Sequence, residues 1–220
     1  MSIANFMSQD LITVTPATKI FDCIDLMKEH QLHRLPVVAN HETGAQQLVG
    51  LITEGVIQAA LPSSATSLSV FEANYLLNKT TVAEIMLTEV TTVAPNAQLE
   101  DGIYLMRQQD IGVLPVVAEK QLVGIITNND IFDAFLNISG YFQGGLTVSL
   151  IVNEDQPGVL AKLTALFAAA KISISTIMVL RQKTTIVEVR LQTQAAEKVS
   201  SLLKDQGFNI QSITVAPKIA

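Results

Sequence analysis

One cysteine, Cys23, stands alone in 220 residues, so no intramolecular disulfide can form and the thiol suits a reducing compartment. Tryptophan is absent, and charged residues make up 15% of the chain against roughly 25% in an average globular protein. So little charge to cover a surface points to burial in an oligomer, and a homodimer is expected. Lys and Arg form no cluster and the net charge is −6, which argues against a nucleic-acid partner. The three histidines stand beside no credible nucleophile, so Ser-His-Asp and Cys-His chemistry has no material. His30 and His33 share a helical spacing but lack the further Cys, Asp or Glu that a metal site requires. No GxxxxGK[ST] or GxGxxG occurs. A non-enzymatic protein without a metal or an obligatory cofactor is the expectation.

Long apolar runs are missing too. Ala134–Asn153 is uncharged over 20 residues but contains Asn137, Ser139, Gln143 and several glycines, which is too polar for a membrane span. The first residues, MSIANFMSQD, lack a signal-peptide pattern. A soluble, cytoplasmic protein follows as an expectation.

What the chain does contain is a duplication. Met7–Ala39 matches Met86–Ala118 at an offset of 79, and Gln47–Ile57 matches Gln121–Ile131 at 74; of these 44 pairs, 20 are identical. The difference falls in one turn, Asn40–Gln46 against Glu119-Lys120, where insertions disturb no core. A unit of about 50 residues buries too little surface alone, so the copies are expected to pack as one pseudo-symmetric body.

Each copy reads as strand, helix, strand, strand, helix. Ile20, Cys23, Ile24 and Met27 recur on one helical face, as do Leu99, Gly102, Ile103 and Met106. Leu35–Ala39 and Leu48–Thr53 form a hairpin pattern, and a helix is expected from near Thr53 and Thr127. Between the copies, Ser69-x-x-Glu72 has the form of a capping box, predicting a short helix in the linker.

The last 75 residues differ. Strands are expected at Leu146–Val152, Ile172–Leu180, Thr184–Gln192 and Phe208–Val215. Helices are expected at Gly158–Ala170, with Leu160, Leu163, Phe167 and Ala170 inward, and at Ala195–Gln206, with Val199, Leu202 and Leu203 inward. Gly207 suits a left-handed helix end. The order β-α-β-β-α-β is the ferredoxin-like split βαβ arrangement. The fold class is therefore mixed α/β, with repeat 1 at 1–61, a linker at 62–83, repeat 2 at 84–138, a hinge at 139–145 and the last domain at 146–220.

The repeats resemble CBS domains in TVTP (Thr13–Pro16) and TVAP (Thr92–Pro95), in the LPVV strand and in Gly-x-Ile-Thr; two in tandem resemble a Bateman module. The last unit resembles an ACT domain in NEDQPGVLAKL (Asn153–Leu163) and KISISTI (Lys171–Ile177). Their combination is similar to the acetoin utilization group of CBS–ACT proteins. The resemblance implies a regulatory sensor whose CBS pair binds an adenine nucleotide of the AMP, ATP or S-adenosylmethionine class. It also implies an ACT domain that dimerises and takes an amino acid or small carboxylate, and a protein target whose identity is open. The family's ligand motif, Gly-h-x-Thr/Ser-x-x-Asp/Asn, is kept in the second copy as Gly124, Thr127 and Asp130, whereas the first has Gly50 and Thr53 but Val56 in place of the acid. By the resemblance one cleft joins Thr127 and Asp130 to Thr13, Val14, Leu32, His33 and Arg34. The weaker second cleft joins Thr53 to Thr92, Val93, Ile111, Gly112 and Val113. The ACT effector would meet Asp155, Gln156, Pro157, Gly158 and Ser173, although Ser173 stands where amino-acid-binding members usually carry Asn. Val56 and Ser173 favour the alternative, a degenerate CBS–ACT scaffold for protein–protein association in acetoin or acetate metabolism.

Overall fold

Residues 1–40, 46–60, 79–153 and 156–218 are described by the computed structural model. They divide into two compact units, Met1–Ile131 and Phe132–Ala220. The expected linker helix at Ser69–Glu72 and the long turn around Gly44 lie outside the described residues.

In the first unit, α1 (Ile20–Glu29), β1 (Arg34–Asn40), β2 (Gln46–Thr53) and α2 (Glu54–Ala60) form repeat 1. After α3 (Val82–Ile85) come α4 (Leu99–Gln109), β3 (Val113–Ala118), β4 (Gln121–Thr127) and α5 (Asn128–Ile138), the boundary between units falling within α5. The strands make one antiparallel sheet, β1-β2-β4-β3, in which the copies meet at Gln47 opposite Gln121. The β3–β4 turn is Glu119-Lys120, with φ of 50° and 70°, the left-handed pair that a tight two-residue hairpin requires.

The expected leading strand of each copy is reduced to one residue pair. Val14 bridges Val37 in parallel and Val93 bridges Val116. The reason lies in the next residues: the Thr15 amide turns to Thr18 Oγ1 (3.0 Å) and Pro16 has no amide to give. Both hairpins shift register at equivalent places, Val37/Val38 and Val116/Val117. The shift releases the Val38 and Val117 amides, which donate to the Val14 carbonyl (2.8 Å) and the Val93 carbonyl (2.9 Å).

The repeat also begins earlier than Met7 and Met86. Ile3–Asn5 and α3 are equivalent at the same offset of 79, so α3 crosses the expected boundary at 83/84. Each leader docks on the other copy. The Ile3 and Ala4 amides donate to Ala97 and Pro95 of repeat 2, while Val82 and Ala83 donate to Thr18 and Pro16 of repeat 1. Further on, Ser8 exchanges both backbone bonds with Ile125, and Leu87 does so with Leu51. The motif glycines make this crossing possible: a Cβ at Gly124 would lie 2.5 Å from Met7 Sδ, and one at Gly50 would lie 2.7 Å from Met86 Sδ.

Helix α1 buries Ile20, Cys23 and Met27 in one cluster with Leu35, Val37, Ile52, Ile57 and Val82. Each large side chain so buried contributes about 1.5–3 kcal/mol against exposure. In repeat 2, Leu99 and Met106 are buried with Gly102, but Ile103, at the edge of the apolar stripe, is 38% exposed.

The second unit runs β5 (Gly145–Val152), α6 (Val159–Ala169), β6 (Ile174–Arg181), β7 (Thr185–Leu191), α7 (Ala196–Asp205) and β8 (Asn209–Ala216). Its antiparallel sheet is ordered β6-β7-β5-β8, with the split βαβ connectivity. Alternate residues of β5 (Leu146, Val148, Leu150) and β7 (Val187, Val189, Leu191) meet Leu163, Phe167, Val199 and Leu203 from the two helices. Leu160, expected inward, is 39% exposed, and Leu166 packs on the core instead. Gly207 has φ +78°, as its position after α7 requires. No helix among the described residues is long and apolar enough to cross a membrane.

A candidate ligand cavity between the two repeats

The sheet of the first unit carries α2 and α5 directly after β2 and β4, so Thr53 and Thr127 end strands and open helices. Backbone contacts fix both starts in the same way. The Glu54 amide donates to the His33 carbonyl (3.0 Å) and the equivalent Asn128 amide to the Gly112 carbonyl (3.3 Å). The side chains then diverge. Thr53 Oγ1 accepts the Val56 amide at 3.2 Å, a plain helix cap. In repeat 2, Asp130 Oδ2 accepts both the amide and the hydroxyl of Thr127, each at 2.7 Å, so the acid closes back on the helix start.

A cavity of about 570 Å³ opens beside this pair. That is the size of a small-molecule site. Thr127, Asn128, Asn129 and Asp130 line it from repeat 2, and Leu32, His33 and Arg34 from repeat 1. Arg34 reaches across the copies: its Nη1 donates to the Gly112 carbonyl at 2.7 Å. Gly112 allows this approach, since a Cβ there would lie 3.0 Å from Asn128 Nδ2 and 3.3 Å from Arg34 Nη1. His33 is exposed and its Nδ1 lies 2.9 Å from Glu54 Oε2. Apolar walls come from Leu11, Ile12, Leu32, Pro36 and Ile125. Apolar walls on one part and polar groups on the rest of the lining suit a flat heterocycle bearing a polar tail.

Of the residues expected at this cleft, the structure brings together Leu32, His33, Arg34, Thr127 and Asp130. Thr13 and Val14 do not line it. Val14 is buried, its amide and carbonyl committed to β1, and the lining from that segment is Asp10, Leu11 and Ile12. Sequence reasoning also missed Ser8, whose hydroxyl donates to Asp130 Oδ1 at 3.4 Å. Its one signal was position: Ser8 and Leu87 are equivalent, as are Asp130 and Val56, so the polar pair and the apolar pair exchange together.

The second cleft is not a mirror of the first. A cavity of about 260 Å³ includes Thr92, with Gly50, Thr88, Val90 and Lys120. Thr53, Val93, Ile111 and Val113 line neither cavity, and Gly112 belongs to the first. Thr53 is used as a cap, Val93 is held in its bridge and Val113 is buried. In the second unit, Asp155 lies outside the described residues. Gly158 precedes α6 with φ +99°, and a Cβ built there meets nothing among the described residues within 4 Å. Ser173 is exposed and its carbonyl accepts the Gln192 amide at 2.9 Å. No group of three or more metal-ligating side chains is gathered among the described residues.

The CBS-domain family profile matches residues 3–63 and 82–137. A CBS domain-containing protein of Bacillus subtilis, YhcV, is 35% identical over 130 residues, covering 59% of this chain and 82% of the relative. An inosine-5′-monophosphate dehydrogenase of Korarchaeum cryptofilum is 30% identical over 58% of this chain, yet the match spans only 23% of that enzyme. Among solved structures, a candidate acetoin utilization protein (AcuB) from Vibrio cholerae superposes with a TM-score of 0.54 at 29% identity, over 65% of this chain and 96% of that one. CBSX2 of Arabidopsis thaliana in complex with AMP gives 0.52 at 26% identity, over 62% and 97%. The CBS pair of MJ0100 in complex with 5′-methylthioadenosine and S-adenosylmethionine gives 0.50 at 28% identity, over 62% and 97%.

Proposed function

The chain belongs to the CBS-domain family, and on that premise we propose that it is a non-enzymatic, cytoplasmic sensor that binds an adenine nucleotide, of the AMP, ATP or S-adenosylmethionine class, in the cavity between its repeats. One observation carries the reading: a single cavity of about 570 Å³ gathers Arg34 from one copy and Thr127 and Asp130 from the other. The chemistry divides naturally. Asp130 accepts from ribose hydroxyls, Thr127 and the start of α5 meet a phosphate or other anion, and Arg34 adds a cation. Leu11, Ile12 and Ile125 flank the base. Relatives that hold AMP and S-adenosylmethionine support the ligand class.

The second unit is read as an ACT domain that pairs two copies of the chain and offers Gln156–Gly158 to an amino acid or small carboxylate. Its βαββαβ order and its open Gly158 support this. A ligand acts on such a protein only by binding one arrangement more tightly than another, and an interacting protein target would read the difference.

A second reading has its own observation. Asp130 is already satisfied by Thr127, as a purely structural acid would be, and Val56 leaves repeat 1 without one. On that view the chain is a scaffold for protein association in acetoin or acetate metabolism. Mass spectrometry of ligand released from the purified protein, with a thermal-shift panel of adenine nucleotides, separates the two. Ligand at 100 times its Kd stabilises the sensor by about 2.7 kcal/mol and leaves the scaffold unmoved. Light scattering tests the dimer against a 23.8 kDa monomer.

A further inference from the structure

Arg34 is the one permanent cation among the described residues that line the cavity, and two acids, Asp10 and Asp130, line it too. Part of the guanidinium is already engaged, since Nη1 donates to the Gly112 carbonyl at 2.7 Å. His33 adds no permanent charge, and its Nδ1 lies 2.9 Å from the Glu54 carboxylate. The chain as a whole is acidic, at −6. The surroundings of this cavity are therefore neutral to negative, an environment that repels an extended polyanion and tolerates a single phosphate near Arg34.

We propose that the cavity selects an adenine nucleoside whose 5′ substituent carries at most one phosphate, and that Asp10 is the residue that turns polyphosphates away. The inference rests on the nucleotide reading above and narrows it. Each phosphate added beyond the first brings another negative charge, but the lining provides no second permanent cation to receive it. Asp10 reaches the cavity from the segment just after Ser8, whose backbone is tied to Ile125 and whose hydroxyl donates to Asp130, so the leader holds this acid beside the site. Asp10 is exposed and holds no salt bridge among the described residues, which leaves it open to substitution.

Isothermal titration of the full chain with adenosine, AMP, ATP and S-adenosylmethionine tests this, first in EDTA and then with magnesium. AMP is expected to bind at least ten-fold more tightly than ATP in EDTA. S-adenosylmethionine, whose 5′ sulfonium is positive, should bind alongside AMP. Asp10→Asn is expected to narrow the AMP-to-ATP ratio at least three-fold while leaving adenosine affinity unchanged. ATP binding as tightly as AMP in EDTA, or an unchanged ratio in Asp10→Asn, overturns the proposal while the nucleotide reading stands. Heat from none of the four ligands overturns both. A gap that closes with magnesium in the native chain supports the proposal, because the cation then supplies the charge that the cavity lacks.

Discussion

Ile3 fills the space that a side chain at position 102 would need: a Cβ added to Gly102 would lie 2.7 Å from Ile3 Cδ1. At the equivalent places in repeat 1 the sizes are exchanged, Cys23 standing for Gly102 and Val82 for Ile3, and both are fully buried in one cluster. The leader and the helix it covers are thus matched in volume, once in each copy.

This matching makes the effect of Gly102→Ala depend on Ile3. Overpacking costs about 1–3 kcal/mol, which outweighs the helix-propensity gain of roughly 1 kcal/mol. The single variant is therefore expected to be destabilised. In an Ile3→Val background the obstructing methyl is gone, and the same change should be neutral or stabilising. Urea unfolding of the four proteins gives the comparison, and an equal effect of Gly102→Ala in both backgrounds would rule out the packing argument.

Asp130 and Val56 occupy equivalent positions but are expected to differ when replaced. Asp130→Ala should weaken adenine-nucleotide binding by about 1–3 kcal/mol by stranding polar groups of the ligand. It should also lower unfolding stability by about 1 kcal/mol, because Thr127 loses its cap partner. Val56→Ala should leave binding nearly unchanged. Titration calorimetry showing equal losses, or two equivalent sites in the native chain, contradicts this asymmetry.

Much of this arrangement was legible in the residues. The duplicated LPVVA and QLVG segments predict both hairpins, and Thr127, Asp130 and Arg34, grouped by the resemblance, line one cavity. The exchange of leaders was not legible, because Met7 meets Gly124 and Met86 meets Gly50 at separations no periodicity encodes. Thr13 and Val14 do not line the cavity for a related reason. A short Thr-Val segment reads equally well as cavity wall or as sheet edge, and the register shift at Val37/Val38, which turns the Val38 amide to the Val14 carbonyl, makes Val14 a sheet edge. Leu160 and Ile103 fit the helical period, yet period says nothing of where a packing partner ends.

Gly158 sits at φ +99°, so any L residue there is strained whatever binds nearby. Gly158→Ala should cost about 1–2 kcal/mol of stability. Gly158→Leu carries the same backbone strain, and its Cβ, like that of alanine, meets nothing among the described residues within 4 Å. If Pro157-Gly158 receives a small carboxylate, Leu should weaken that binding further than Ala while the nucleotide cavity is unaffected. Amide shifts near Gly158 during titration of the full chain with amino acids and carboxylates provide the readout. Their absence at millimolar ligand removes the effector role.

Burial, and then the negative charge of Asp22, push the Cys23 thiol up to about 11. The folded state therefore favours the protonated thiol. That contribution is fully present below the ordinary thiol value and is lost as pH rises through the range up to about 11. The urea midpoint should fall over this range, and less so in Cys23→Ala. At neutral pH the thiol should react with a disulfide reagent only at the rate of unfolding; rapid labelling of the native protein would show that the site is open.

The exchanged leaders bear on how such a chain could arise and be taken apart. Neither repeat is complete in itself, since the segment that bonds to the second strand of each hairpin belongs to the other. A polypeptide holding one copy would have to borrow the missing segment from a second molecule, and its folding would depend on dilution. Joining two copies in one chain replaces that encounter with a tethered one at an effective concentration on the order of millimolar. Once tethered, the copies no longer need to be identical, which leaves one free to keep an acid at Asp130 and the other to hold valine at Val56.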